Sequence, residues 1–219
     1  MKILAVSDEE CEALWDYYVP GRLSDYDLII SCGDLKADYL SFLVTMSRCP
    51  VLYVHGNHDT SYSRFPPEGC DCIDDQIVVF NGIRILGLGG CLRYRPSEHQ
   101  YTERQMARRI AKLRWKIRRL GGIDIVVTHA PASGVGDAPD PAHRGFQSLL
   151  KLMERYKPKY LLHGHVHLRY TAGKPIVRER QYGDTTVINV SERYVLDIPD
   201  VPFPEKHRRQ LIWKTKHKD

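Results

Sequence analysis

Asp, Asn and His close a series of short apolar runs in this sequence. They stand in Ser7-Asp8-Glu9-Glu10 after the first run, Gly33-Asp34 after the second, His55-Gly56-Asn57-His58-Asp59 after the third, Thr128-His129 after a middle one, and His163-Gly164-His165-Val166-His167 after a later one. Carboxylate and amide oxygens with imidazole nitrogens are the donors that hold hard to borderline divalent cations. In an extended segment, alternation sends His165 and His167 to the same side, two residues apart, as a pincer. Gly33, Gly56 and Gly164 let the backbone turn sharply beside a crowded centre. Taken singly, a Gly-Asp pair or a His after a strand is more often a turn or a satisfied side chain, while Gly56-Asn57-His58-Asp59 and Gly164-His165-Val166-His167 are stronger signals. Five blocks in this order, each at a strand end, are not explained by packing.

The blocks resemble the calcineurin-like metallophosphoesterase superfamily, whose order is D-x-H, G-D, G-N-H-D or E, an isolated His, then G-H-x-H. The resemblance spans Asp8 to His167 and leaves the C-terminal tail uncovered. It implies an α/β fold, a four-layer α/β/β/α sandwich of two mixed sheets, with two divalent metal ions at the strand carboxyl ends. By motif position it implies that Asp8, Asp34 and His167 hold the first ion. Asp34, Asn57, His129 and His165 would hold the second, with Asp34 bridging.

One position departs from the pattern. Where the family has His in D-x-H, this chain has Glu10 in Asp8-Glu9-Glu10. As a ligand, Glu10 makes the first site richer in oxygen and favours Mn²⁺ or Fe²⁺, with Zn²⁺ or Mg²⁺ as the other candidates. As an acid in a first helical turn, it complements the helix dipole and binds no metal.

The chemistry expected of such a site is phosphodiester hydrolysis. A phosphoester anion repels nucleophiles, and bulk water is too weak an acid to supply hydroxide at neutral pH. Two cations about 3.5 to 4 Å apart address both problems, and the expected nucleophile is a metal-bridging hydroxide. His58 is the expected general acid, since by resemblance it points to substrate rather than metal. Asp59 or Asp38 would orient it, and Asn57 would also touch a phosphate oxygen. Of the other histidines, His55 and His163 read as strand-end residues with local hydrogen bonds, while His143 and Arg144 lie in a polar loop that could reach the mouth. No arginine motif for a terminal phosphate is evident, which favours diesters over monoesters, and no insert resembles those of protein phosphatases.

The elements that must position these residues are legible in outline. Apolar β-rich runs predict strands at 3–6, 27–31, 51–54, 77–80, 83–88, 123–128, 160–163, 185–190 and 194–196, the early ones parallel and the later ones meandering. Helices are predicted at 11–18, 36–46, 102–120 and 144–156. The third is the best defined: Met106, Ile110, Leu113, Ile117 and Leu120 share one face, Thr102 with Gln105 reads as a capping box, and Gly121-Gly122 supplies the stop. The expected organisation is one metallophosphoesterase domain over 1–198, with a basic helical insertion at about 91–120, followed by a basic tail at 199–219.

The chain has 219 residues and a formal charge of +5, unevenly spread. Residues 102–120 carry eight Arg or Lys against Glu103 alone, and 205–219 are also basic, so the remaining body is acidic. Such a body suits cation binding, and the basic helix 102–120 raises a nucleic-acid partner, or a nuclease activity, beside a small phosphodiester or nucleotide substrate. A catalytically weak scaffold of the same fold is the remaining alternative. No run approaches the 18 apolar residues of a membrane span. The apolar start is too brief for a secretory signal, and the six cysteines lack CxxC spacing, so a cytoplasmic protein with reduced thiols is expected.

Overall fold

The structure, a computed structural model, describes residues 1–168 and 177–198. The expected tail at 199–219 lies outside the described residues. Two sheets face one another. The first has five strands: β1 (Lys2–Ser7), β2 (Leu28–Ser31), β3 (Val51–Tyr53), β4 (Asp71–Cys72) and β13 (Glu192–Asp197), in the order β13-β1-β2-β3-β4. The second has six: β5 (Gln76–Phe80), β6 (Ile83–Leu88), β9 (Ile125–Thr128), β10 (Tyr160–His163), β11 (Glu179–Tyr182) and β12 (Thr185–Asn189), in the order β11-β12-β10-β9-β6-β5. A short parallel pair, β7 (Cys91–Leu92) with β8 (Gln100–Tyr101), stands apart. Helix α1 (Ala37–Met46) covers the first sheet, while α2 (Glu103–Leu120) and α3 (Gln147–Tyr156) cover the second.

Strand alternation builds three apolar layers from these elements. Ile3, Ala5, Ile30, Ile125 and Val127 pack between the sheets. Their neighbours Leu4, Val6 and Ile29 turn outward against Tyr39, Leu40 and Leu43 of α1. On the far side Val126 and Leu161 meet Met106, Leu113 and Ile117 of α2 and Leu149 and Leu152 of α3. The central strands are buried on both faces and therefore read as continuous apolar runs. The result is the expected four-layer α/β/β/α sandwich.

All nine predicted strands form, to within two residues at each end. The strands not predicted are β4, β7 and β8, of two residues each and too short to show a period, and β11, ERQY, whose polar side chains suit a sheet edge. The later strands do not simply meander. β6, β9, β10 and β12 are mutually parallel; α2 returns the chain across the sheet between β6 and β9, and α3 between β9 and β10. Among the described strands, antiparallel pairing is confined to β5 with β6, β11 with β12, and β13 with β1.

Two helix expectations need correction. At 11–18 only a single 3₁₀ turn, Glu12–Leu14, forms; Cys11 gives no side-chain cap, and Pro20 disfavours helix in the residue before it. The last helix starts at Gln147 rather than Arg144. The amides of Gly145 and Phe146 are drawn to Asp137 and to the Pro131 carbonyl, which holds that segment in the loop. Helix α2 has the capping box of Thr102 and Gln105 and ends on Gly121 at φ 77°, as expected. A capping box of this kind contributes roughly 1 kcal/mol. All six cysteines are free thiols. Among the described residues no helix is long and apolar enough to cross a membrane.

Candidate metal centre

Because β1, β2, β3, β9 and β10 run parallel within their sheets, their carboxyl ends bring the Asp, Asn and His blocks together. The connecting loops approach backbone to backbone. A Cβ on Gly56 would collide with the Asp34 carboxylate, and one on Gly164 would collide with Ser7 Oγ, so only glycine fits at either place. Asp8, Asp34 and His165 all adopt left-handed backbone, at φ 67°, 56° and 67°. Three non-glycine residues in this region at one site mark local strain held by the surrounding fold.

Asp34, His129 and His165 converge, with one ligand atom from each within 4.8 Å of the others. His129 is fully buried. Its Nδ1 lies 2.8 Å from the Cys32 carbonyl and therefore carries a hydrogen, which aims Nε2 at Asn57 Oδ1 (3.0 Å) and Asp34 Oδ2 (3.3 Å). Both of those neighbours are acceptors. Burial alone would lower the His129 pKa, but the Asp34 carboxylate outweighs it and raises it to about 9. Asp34 in turn is pushed up by burial but held well below the usual carboxylate range by His129 and by the His58 amide, which donates to Oδ1 at 2.7 Å.

His165 behaves in the opposite way. Burial, then the charge of His129, lowers its pKa to about 3, so the ring is neutral. Its Nε2 donates to the Ala142 carbonyl at 2.7 Å, which leaves Nδ1 as the lone-pair nitrogen. Both imidazoles thus have their tautomers fixed by backbone carbonyls, as is usual for metal-ligating histidines. Asp34 Oδ2, Asn57 Oδ1 and His129 Nε2 form a cluster of acceptors that requires a proton or a cation at its centre. The residues therefore fit a divalent metal ion.

Residues 1–169 match the family model of calcineurin-like phosphoesterase, in agreement with this geometry. The chain belongs to the calcineurin-like phosphoesterase family. Membership implies metal-dependent phosphoester hydrolysis. UPF0046 protein K07C11.7 of Caenorhabditis elegans is 25% identical over 220 residues, covering 88% of this chain and 70% of that protein. The crystal structure of TT1561 of Thermus thermophilus is similar in fold, with a TM-score of 0.58 at 18% identity, covering 87% of this chain and 89% of that one.

The remaining residues of the calcineurin-like motifs fall into two groups. Asp8 sits beside the cluster, its carboxylate accepting the His165 amide at 2.9 and 3.0 Å, and burial raises its pKa despite His129. His58 is exposed at the mouth, with Nε2 4.0 Å from Asp34 Oδ2. Neither Asp59 nor Asp38 is placed to orient it. Asp59 is buried and its Oδ2 accepts the amides of Asp34 (2.9 Å) and Gly56 (2.7 Å), while Asp38 is exposed on α1. Burial and the charge of Asp34 raise the Asp59 pKa to about 6.

Glu10 turns away from the cluster. Its Oε1 accepts the Lys36 amide at 3.3 Å and pairs with Lys36 Nζ at 3.5 Å. The acid that sequence reasoning passed over is Glu9, whose Oε1 lies 3.2 Å from His167 Nδ1. The reversal at Asp8, with the Glu9 amide bonded to the Ser7 carbonyl, puts the first acid of the pair and not the second beside His167. No signal in the sequence shows that reversal. His143 does reach the mouth, its ring 5.1 Å from His165 and its Nδ1 held by Asp140 at 2.9 Å, whereas Arg144 is exposed. His163 keeps its local role, bonded to the Gly164 carbonyl, but His55 does not.

Proposed function

We propose that this chain hydrolyses small phosphodiesters, with nucleotides among the candidate substrates, at the Asp34 cluster. The observation that carries the reading is the acceptor cluster of Asp34, Asn57 and His129, closed by neutral His165 and opening on exposed His58. Asp34, Asn57, His129 and His165 would hold one divalent ion; Asp8, Asp34 and His167 would hold a second, with Glu9 in the part first assigned to Glu10. When bound, such ions neutralise phosphoryl oxygens and activate water for attack on phosphorus. The carboxylates of Asp8, Asp34 and Glu9 make this an oxygen-rich centre, which favours Mn²⁺ or Fe²⁺ over Zn²⁺ or Mg²⁺.

The chain's own groups do the rest. Asp34 orients the His58 backbone through its amide and keeps the imidazole near the cluster, where it can deliver a proton to the departing alkoxide oxygen. Asn57 offers its amide to a phosphoryl oxygen. Asp8, Asp34, Asn57, His129 and His165 bring no guanidinium to grip the extra charge of a terminal phosphate, which favours diesters.

Helix α2 supports a separate role rather than substrate delivery. Its C-terminal half, with Arg155 and Tyr156 of α3, lines a groove of about 570 Å³ that includes Arg114, Trp115 and Arg118. Arginine with exposed aromatic rings is the surface that holds single-stranded nucleic acid. Gly121 and Gly122 meet Arg84 at the start of β6, however, so this groove lies at the end of the sandwich remote from the strand carboxyl ends.

The deciding experiment reloads chelated protein separately with Mn²⁺, Zn²⁺ and Mg²⁺ and assays a paired generic phosphodiester and phosphomonoester. Diester hydrolysis restored best by Mn²⁺ is expected. Silence with every metal would overturn the enzymatic reading and leave a scaffold of this fold.

A further inference from the structure

A second convergence of ligand-type side chains lies on the flank of β3 and β4. His55 follows β3, Cys72 closes β4 and Asp74 comes two residues later. His55 Nδ1 is 2.7 Å from Asp74 Oδ2 and 3.7 Å from Cys72 Sγ, and one ligand atom from each of the three lies within 4.8 Å of the others. All three residues are half-buried, so the site is sheltered yet open to an entering ion.

The arrangement is preorganised from outside. The His99 ring stacks on His55 with centroids 4.4 Å apart and planes 10° from parallel, which fixes the imidazole. Asp74 Oδ1 accepts the Gly89 amide at 2.6 Å, which fixes the carboxylate. Arg109 is taken by Asp75 at 2.7 Å and stays 3.9 Å from Asp74.

A nucleophilic relay is the competing reading of a Cys, a His and an Asp in contact. A relay needs the thiol and the carboxylate on opposite ring nitrogens, so that a proton leaving sulfur is balanced across the ring. Here both address Nδ1. The geometry instead gathers one nitrogen, one sulfur and one oxygen around a single point.

That donor set matches zinc. With Zn–N of about 2.0–2.1 Å and Zn–S of about 2.3 Å, a tetrahedral angle separates nitrogen from sulfur by roughly 3.6 Å. The observed separation is 3.7 Å. The Asp74 oxygen needs to retreat by only about 0.6 Å to occupy a third tetrahedral corner. Thiolate and carboxylate together neutralise a dication.

We propose that His55, Cys72 and Asp74 form a separate metal site for Zn²⁺ or a similar borderline divalent cation, with a fourth position open to water. The site would clasp the segment after β3 to β4. Since His55 directly precedes Gly56 and Asn57, a bound ion would also anchor the backbone that presents Asn57. It shares no ligand with the Asp34 cluster and does not depend on the phosphoesterase reading.

The test is a Co²⁺ titration of the chelated full chain, kept reduced with a non-thiol reductant and followed by absorption. A thiolate-to-cobalt charge-transfer band is expected, bleached by Zn²⁺, absent in Cys72→Ser and retained in Asp34→Asn. Bound zinc, measured by elemental analysis, should fall by one equivalent in Cys72→Ser. No thiolate band in the reduced wild-type chain at any Co²⁺ level would overturn the site, and that measurement needs no variant to fold. A band that survives Cys72→Ser would place the metal on another thiol, and one lost in Asp34→Asn would show that the thiolate site is not independent of the other centre; either result also overturns the proposal.

Discussion

His129 and Asn57, 72 residues apart in sequence, meet with Nε2 3.0 Å from Oδ1 while the other imidazole nitrogen is already committed to the Cys32 carbonyl. Nε2 therefore carries a proton at neutral pH when no cation is present. His129, with a pKa of about 9, is protonated at neutral pH in the metal-free protein, and His165, at about 3, is not. Metal binding at pH 7 should thus release a proton from His129 and none from His165. Affinity should climb as pH rises toward about 9 and level off above it. Calorimetric titrations with Mn²⁺ in buffers of different ionisation enthalpy measure this release directly; binding that liberates no proton from His129 would contradict it.

His58 is exposed and 4.0 Å from Asp34, outside the tight ligand cluster. His58→Ala should keep the metal content of the wild type while kcat falls by ~10²–10⁴-fold. The loss should be greatest for esters with poor leaving groups and small for those whose alkoxide needs no proton. Metal analysis and kcat across a leaving-group series separate this role from ligation, since a ligand variant loses metal and all substrates together.

Asp59 is the acceptor for two backbone amides, that of Gly56, which is buried, and that of Asp34, which is partly buried. Asp59→Ala leaves both without an acceptor and should cost about 1–3 kcal/mol for each. Asp59→Asn keeps a carbonyl oxygen and should cost less. Denaturant unfolding of the metal-free proteins gives the stability difference. The Ala variant should also bind metal more weakly, because the loops carrying Asp34 and Asn57 lose their shared tie.

The groove at Arg114, Trp115, Arg118 and Arg155 runs along the C-terminal half of α2, at the end where Gly121 and Gly122 meet Arg84. Replacing the three arginines by Ala should leave kcat/KM for a small diester unchanged. The same variant should weaken single-stranded nucleic-acid binding and flatten its salt dependence, which is steep when phosphates are neutralised by Arg and Lys. Equal salt dependence in both proteins would remove this groove as a polyanion site.

Much of the architecture was legible because burial on both faces leaves its trace as continuous apolar runs, as in Ile3–Val6 and Ile125–Thr128. The α2 boundaries were legible because Thr102, Gln105 and Gly121 satisfy helix ends locally. Two-residue strands such as β4 left no trace, since pairing to a neighbour and not periodicity defines them.

For the site, local sequence determined which residue types end each strand, and therefore that His129, His165, Asp34 and Asn57 were candidates to share an ion. Only the packed structure decided how they point. The left-handed turn at Asp8 gave Glu9 and not Glu10 to His167, and sent Glu10 to Lys36. Contacts across tens of residues turned Asp59 inward as a brace and drew His55 toward Cys72 and Asp74. Side-chain direction at a chain reversal depends on a few backbone angles set by distant neighbours, and those angles are not encoded in residue type or spacing.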